Sequence, residues 1–231
     1  MPLELRCYNR GSLMDEFLLP LFLLEMVLLP DEVVPLHIFE DRYKQMIGEC
    51  LEKQDLTPAE AEFGVVYLRG KQAQRVGCTA RITKVVRRHE DGQLDILALG
   101  QRRFEILFTN DKRHYLRAAV AFFDDEESAV LPEAEVGRAR ALFRDVLEKL
   151  DISADPSALE REFRRPSFQI AAALPIGPEF KQEVLVLRDE RERLRRLTGL
   201  MEKLIPQLER RERVRSKASG NGHLTPSGGS G

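Results

Sequence analysis

The chain has 231 residues, enough for one large domain or two modest ones with a substantial core. Its 36 Lys and Arg residues nearly balance 38 Asp and Glu residues, which argues against a dedicated nucleic-acid-binding protein but leaves room for a local basic patch. Cys7, Cys50 and Cys78 are widely spaced and form neither a disulfide framework nor a metal-binding pair, so we expect a cytoplasmic location. Because no apolar run is long enough to span a bilayer and the amino terminus lacks a signal-peptide pattern, we expect no membrane partner.

Residues 1–14 are predicted to form a loose leader, and residues 15–125 a β-rich domain. Between Leu28 and Met46 an apolar, proline-containing run changes to a helical period, which predicts a strand, a bend and a helix. Further strands are predicted at 61–68, 77–87, 94–99, 103–108 and 115–123. Asp91-Gly92 predicts a hairpin turn, and Gly100 predicts a break between two strands. Short strands with glycine-marked bends and one inserted helix are typical of a small closed or nearly closed barrel.

The rest of the chain follows a helical period, and residues 130–215 are predicted to form a helical subdomain. Short helices are predicted near 155–163, 167–174 and 179–187, with Ser167 as a helix N-cap. A long final helix is predicted to begin near Asp189 and to kink or end at Pro206. Its heptad-like leucine spacing favours packing on neighbouring helices and leaves self-association through this helix open. Residues 216–231, rich in Gly and Ser, have the composition of a flexible tail.

An ordered set of short motifs resembles one known family. The motifs are Leu19-Pro-Leu-Phe22, Leu29-Pro30, Pro35-Leu-His-Ile-Phe-Glu-Asp-Arg-Tyr43, Phe63-Gly-Val-Val66, Val76-Gly-Cys-Thr-Ala80, Asp91-Gly92, Leu99-Gly-Gln-Arg-Arg-Phe104, Ser167-Phe168 and Lys181-Gln182. Together they cover roughly residues 15–210 and resemble the amino-terminal, substrate-binding domain of Lon proteases. The sequence departs from the family at Asp31 and Asp41, where glycine and proline are often found. The resemblance implies an α+β fold: a β-rich PUA-like pseudo-barrel followed by a helical subdomain that ends in a long helix.

The resemblance also implies a non-catalytic polypeptide-recognition module, acting in substrate binding or as an adaptor, in a stand-alone form without the ATPase and protease modules. Its partners would be unfolded or degron-bearing polypeptides, and a separate ATPase or protease partner stays open. The residues agree with this interpretation, because Gly64 to Gln72 fails the spacing and hydroxyl requirement of a phosphate-binding loop. No serine lies in a setting that suggests a nucleophile with a lysine base. We therefore expect no catalytic residue and no cofactor.

Phe39, Arg42 and Tyr43 are the candidate polypeptide-binding residues, at the predicted junction of strand and helix. The structural interpretation is favoured for the same residues: Arg42 pairs with a nearby carboxylate, and the aromatic rings pack in the core. His37, between Leu36 and Ile38, is predicted to be a buried imidazole bonded to a backbone carbonyl. The four histidines have no ligand spacing, so no metal site is expected.

The alternative function is an RNA-binding PUA-like module that acts through the basic C-terminal helix. Its candidate nucleic-acid-binding residues are Arg210, Arg211, Arg213 and Arg215, since arginine runs can meet phosphates. Interleaved glutamates instead favour a solvated, salt-bridged helix, and no aromatic residue is present there to stack on bases. Nucleic acid is therefore not the expected partner.

Overall fold

The structure is a computed structural model that describes residues 18–56, 61–126, 131–152 and 165–220, without the side chains of 55, 56, 212 and 214–220. The predicted leader (1–14), the predicted helix near 155–163 and most of the predicted tail lie outside the described residues. Among the helices that are described, none is both long enough and apolar enough to cross a membrane.

The described residues form an α+β fold, as the sequence predicts. The strands are β1 (Leu19–Leu24), β2 (Val33–Ile38), β3 (Phe63–Arg69), β4 (Gln72–Ala73), β5 (Val76–Arg88), β6 (Leu94–Asn110) and β7 (Arg117–Phe122). The helices are α1 (Asp41–Leu56), α2 (Glu133–Lys149), α3 (Pro166–Ala173), α4 (Pro178–Val186) and α5 (Glu190–Gly220). The long final helix of the prediction is present; it does not end at Pro206 but continues to Gly220, five residues into the predicted tail.

Five strands close into a ring. The sheet runs in the order β1-β7-β6-β5-β3-β4, and β1 also pairs with β3 in parallel, from Leu21 opposite Gly64 to Leu24 opposite Tyr67. This pairing joins the two ends of the β1-β7-β6-β5-β3 path and removes their open edges. A closed β-barrel is therefore present, and its likeness to PUA-like barrels stays a prediction.

The barrel core is built from alternate residues of the ring strands. A central cluster contains Leu21, Val66, Phe104, Ile106 and Ala118, each almost completely shielded from solvent. Helix α1 adds a second apolar group at the spacing that the sequence predicts. Its buried residues are Tyr43, Met46, Ile47 and Cys50. One face of α1 therefore belongs to the core.

The prediction that Gly100 separates two strands is wrong, because β6 is continuous from Leu94 to Asn110. Gly100 is required for another reason: a Cβ atom there would lie 2.1 Å from the carbonyl oxygen of Leu29. The segment between β1 and β2 crosses β6 at this point, and the backbone of Gly100 bonds to Asp31 N and Glu32 O at 2.9 and 2.8 Å. Asp31 in this segment has φ +65°, a left-handed conformation that glycine adopts most easily, and glycine is often found there in the family that the sequence resembles.

The grouping of the helices differs from the predicted boundary. The described residues up to 126 form one compact unit together with Ser167–Glu190, a segment predicted to lie in the helical subdomain. The reason is a set of polar contacts between α4 and the barrel side of this unit. Tyr67 Oη donates to Glu179 Oε1 at 2.8 Å, Lys181 Nζ to Glu32 Oε1 at 3.1 Å, and Gln182 Nε2 to Val76 O at 3.0 Å.

Arg103 of β6 makes a deeply buried set of polar contacts in this unit. Its guanidinium donates to the carbonyls of Leu185 and Leu187 at 3.2 and 2.6 Å and to Asp125 Oδ1 at 2.5 Å. The guanidinium also lies over the ring of Phe123, 4.7 Å from its centroid. Because the side chain is 1% exposed, these partners replace the water that a charge would otherwise require.

Ser167 is not the N-cap that the sequence predicts, since α3 begins one residue earlier, at Pro166. The carboxylate of Glu190 satisfies this helix start instead, accepting from Ser167 N at 2.9 Å and from Ser167 Oγ at 2.6 Å. A carboxylate is favoured at a helix amino terminus by the free N–H groups and the helix dipole.

The second unit comprises the described residues of 131–152, residues 165–166 and α5 from Arg191 onward. Its buried apolar residues repeat at helical spacing on both long helices: Ala139, Phe143, Val146 and Leu147 on α2, and Leu194, Leu197, Met201 and Leu208 on α5. Ion pairs Arg191–Glu135 and Arg138–Glu202 join the two helices.

Replacing Gly100 by Ala is expected to lower the free energy of unfolding by about 2–3 kcal/mol, because the added methyl overlaps the Leu29 carbonyl. Gly48 is the matched control: it lies in α1, and a Cβ atom added there would have no neighbour within 4 Å. Gly48→Ala should raise the free energy of unfolding by about 0.5–1 kcal/mol, because alanine is the better helix former. Urea denaturation followed by circular dichroism measures both, and equal effects of the two variants would contradict a close crossing at Gly100.

Replacing Arg103 by Met should lower the free energy of unfolding by about 3–5 kcal/mol, because Asp125 and two carbonyls lose a buried cationic partner. Arg102→Met is the control, since Arg102 is exposed and its guanidinium contacts the ring of Phe122 at 4.0 Å. That change should cost less than about 1 kcal/mol. The same urea denaturation measures the free energy of unfolding of both variants. An Arg103→Met variant as stable as the unmodified protein would show that the buried contacts are dispensable.

Candidate functional site

Strands β2 and β6 present one buried and one solvent-facing side. The residue pairs Val34–Ala98, Leu36–Ile96 and Ile38–Leu94 point into the core. The alternate pairs are Val33–Leu99, Pro35–Leu97 and His37–Asp95. Because directly opposed residues of antiparallel strands share a face, these six residues form one surface, which we call the outer face.

The outer face is mostly apolar. Val33 is 55% exposed, and Leu97 and Leu99 are half-buried beside the proline ring of Pro35. Phe39, which follows β2, extends the face: it is 59% exposed and its ring stacks on His37 with centroids 5.9 Å apart. The polar pair His37–Asp95 lies between Pro35 and Phe39, and a surface that combines exposed apolar side chains with a few polar ones is typical of a site that contacts another molecule.

Strand β5 gives the outer face a positive border. Arg81, Lys84 and Arg87 pair with Leu99, Leu97 and Asp95 of β6, and all three basic side chains are exposed. They therefore lie on the same side of the sheet as the apolar residues. Side chains of this sign attract acidic groups over a distance of about one Debye length, roughly 8–10 Å.

The structure separates the three predicted polypeptide-binding residues. Phe39 is not packed in the core as the sequence favoured but is exposed beside the outer face, whereas Tyr43 is buried and packs on Phe22 with ring centroids 4.1 Å apart. Burial raises the pKa of the Tyr43 hydroxyl, against the opposing effect of the Arg42 charge. Arg42 is exposed, pairs with Glu40 at 2.7 Å and lies over the Tyr43 ring at 4.4 Å, which is the carboxylate pairing predicted from the sequence. That Phe39, Arg42 and Tyr43 bind polypeptide stays a prediction.

The prediction of a buried His37 is wrong. Its side chain is about half exposed, and Nδ1 lies 2.7 Å from Asp95 Oδ1. The other carboxylate oxygen, Asp95 Oδ2, lies 2.8 Å from His89 Nε2. Hydrogen bonds from His37 and His89 hold the pKa of Asp95 below its usual value. The apolar neighbours Leu36 and Ile38 suggested that His37 is buried. Adjacent residues of a strand point to opposite faces, so burial of these neighbours places His37 on the exposed side.

Sequence reasoning also missed Asp95 and His89 as partners of His37. His37 and Asp95 are 58 positions apart in the chain, so no local spacing relates them. Two signals in the sequence could have found them: the alternation of β2, which places His37 with Val33 and Pro35, and the Asp91-Gly92 hairpin, which brings His89 near Asp95.

The candidate nucleic-acid-binding arginines lie on α5. Arg210 and Arg211 are exposed, and Arg213 is exposed and lies 3.7 Å from Glu209. The side chain of Arg215 is outside the described residues. An arginine that alternates with glutamate on an exposed helix is typical of a salt-bridged surface, and a role in binding RNA stays a prediction.

Comparison with known proteins gives a consistent result. The family model for the ATP-dependent protease La (LON) substrate-binding domain matches residues 18–203. The Lon protease of Vibrio parahaemolyticus is 28% identical over an alignment of 214 residues, which covers 84% of this chain and 25% of that protein. Lon protease 2 of Herpetosiphon aurantiacus is 26% identical over 202 residues, with the same coverage. The chain thus spans about a quarter of the length of these curated relatives.

Two solved structures share the fold. A crystal structure of a Lon N-terminal domain protein from Xanthomonas campestris matches with a TM-score of 0.57 and 24% identity, over 79% of this chain and 97% of that one. The N-terminal domain of the Mycobacterium avium complex Lon protease matches with a TM-score of 0.60 and 20% identity, over 80% and 98%. Both matches confirm the predicted fold class.

Replacing Tyr43 by Ala is expected to lower the free energy of unfolding by about 3–5 kcal/mol, because its ring fills core space against Phe22. Phe39→Ala should change it by no more than about 0.5 kcal/mol, since that ring is exposed. Chemical denaturation of the two variants measures both changes in the free energy of unfolding. A large loss in Phe39→Ala would mean that this ring is structural and not free to contact a partner.

Proposed function

The chain belongs to the LON substrate-binding domain family, and from this premise we propose that it recognises polypeptide segments through the outer face and Phe39. It is a substrate-recognition module of the kind that the family description names. The observation that carries the proposed site is the exposed apolar strip, with Val33 at one end and Phe39 at the other. Burial of such side chains by a bound segment is favourable by roughly 25 cal/mol for each Å² removed from water.

Side-chain packing is the expected mode of binding, in preference to addition of a strand. In the described part of the chain β2 pairs with β6 alone, so its second edge has no strand partner. Pro35 lies in the middle of that edge strand and has no N–H to offer. A segment of varied sequence is therefore better held by contacts with Val33, Leu97 and Leu99 than by a continuous backbone ladder.

The positive border predicts which segments bind best. Arg81, Lys84 and Arg87 lie beside the apolar residues without entering the core. A segment that combines apolar and acidic side chains would gain Coulomb attraction at this border, whereas one with basic side chains would be repelled. Unfolded or degron-bearing polypeptides rich in both kinds of residue are thus the proposed substrates.

Three more specific roles remain separate predictions. A role as an adaptor that delivers polypeptides, a separate ATPase or protease partner and self-association through α5 all extend beyond substrate recognition. The basic residues of α5 leave the RNA-binding alternative testable in the same experiments. It requires binding that weakens with salt and with the change of Arg210, Arg211, Arg213 and Arg215 to Ala.

The double variant Val33→Ser, Phe39→Ser should weaken binding of a fluorescent, unfolded, apolar and acidic peptide at least about tenfold, because both ends of the strip lose apolar area. Fluorescence anisotropy measures the Kd, with a basic peptide of equal apolar content as the second probe. Leu107→Ser is the matched control, since Leu107 is 56% exposed on β6 beyond the segment that pairs with β2.

The outer face would be excluded as the site if Leu107→Ser weakened peptide binding as much as the double variant did. It would also be excluded if neither variant changed the Kd of the peptide. Binding of neither peptide, with salt-dependent binding of single-stranded RNA that the α5 changes abolish, would favour the RNA alternative.

A further inference from the structure

We propose that His37, His89 and Asp95 form a binding site for a divalent transition-metal ion of the Zn²⁺ class. His37 and Asp95 belong to the outer face, but the proposal does not rest on polypeptide recognition, and it reverses the expectation, based on histidine spacing, that the chain has no metal site. In the described residues, no other group of three or more His, Cys, Asp and Glu side chains converges in this way.

The potential ligand atoms already converge. One ring nitrogen from each histidine and a carboxylate oxygen of Asp95 all lie within 4.8 Å of one another. Asp95 contacts His37 Nδ1 at 2.7 Å through one oxygen and His89 Nε2 at 2.8 Å through the other. A tetrahedral Zn²⁺ ion with bonds of about 2.0–2.2 Å holds its ligand atoms about 3.3 Å apart. Small side-chain rotations therefore suffice to exchange the hydrogen bonds for metal bonds.

The backbone fixes the three positions from separate elements. His37 and Asp95 are directly opposed in the β2–β6 register. His89 begins the β5–β6 turn, where its N–H donates to Gln93 O at 2.9 Å and its carbonyl accepts from Gly92 N at 3.0 Å. Ligands held on paired strands and a tight turn lose little freedom when an ion binds, which favours affinity.

The chemistry of the ligands selects the class of ion. Two imidazoles with one carboxylate suit Zn²⁺, Co²⁺, Ni²⁺ and Cu²⁺, whereas Mg²⁺ and Ca²⁺ require mostly oxygen ligands. The exposed Arg87 of β5 lies opposite Asp95 of β6. Its positive charge further disfavours ions such as Mg²⁺ and Ca²⁺, which are held mainly by electrostatic attraction. The three side chains are partly exposed, so an ion can enter from solvent and water can complete its coordination.

Isothermal titration calorimetry with Zn²⁺ should show saturable binding of one ion at this site. His37→Ala, His89→Ala and Asp95→Asn should each weaken the binding at least about tenfold. His114→Ala is the matched control, because His114 is exposed and lies outside the cluster, and it should leave the Kd unchanged. Circular dichroism verifies that each variant is folded.

The absorption spectrum of bound Co²⁺ provides a second measurement. Visible bands without a thiolate charge-transfer band are expected from nitrogen and oxygen ligands. A thiolate band would assign the ion to a cysteine and overturn the proposal. Absence of saturable Zn²⁺ binding, or binding that is equally strong in the three cluster variants, would also overturn it and leave the cluster as a hydrogen-bonded link between β2 and the hairpin.

Discussion

The buried guanidinium of Arg103 is the constraint on which the barrel-containing unit depends. A charge with so little exposure is tolerated only when the protein supplies partners for it, and here they come from Asp125 and from the carbonyls at the end of α4. The same segment is held by Gln182 on Val76 and by Lys181 on Glu32. Arg103, Lys181 and Gln182 all lie in the motifs that carry the family resemblance. Their shared role is to attach α4 to the strands.

Strand β6 connects this constraint to the candidate site. Its second half pairs with β7 inside the barrel, whereas its first half pairs with β2 and forms the outer face. Gly100 lies between the two halves, where the chain from β1 crosses it closely. The exposed apolar strip and the His37–Asp95 pair are therefore positioned by the same continuous strand that holds Arg103. A site on such a strand is more rigid than one on a loop.

Local patterns in the sequence predicted most of the elements, and the family resemblance supplied the fold class. The helical face of Tyr43, Met46, Ile47 and Cys50 and the Asp91-Gly92 turn are read from neighbouring residues, and the structure has both. Contacts between distant residues were beyond that reasoning. Gly100 gives the same sequence signal whether it ends a strand or admits a crossing backbone, and Ser167 resembles an N-cap although Glu190 satisfies the helix start. For His37, the two-residue period of the strand predicts an exposed side chain, whereas the apolar character of its neighbours wrongly suggests a buried one.

The carbonyl acceptors of the Arg103 hydrogen bonds are synthesised long after Arg103 itself. The carbonyls that accept its hydrogen bonds lie 82 and 84 residues later in the chain. A ribosome therefore completes the seven strands of the described residues, and then the whole of α2, before it delivers these acceptors. Until that moment the barrel must either keep this cation in water or remain partly open. The barrel-containing unit can reach its final state only late in synthesis, and a nascent chain that stalls within α2 would display an incomplete barrel to the quality-control machinery of the cell.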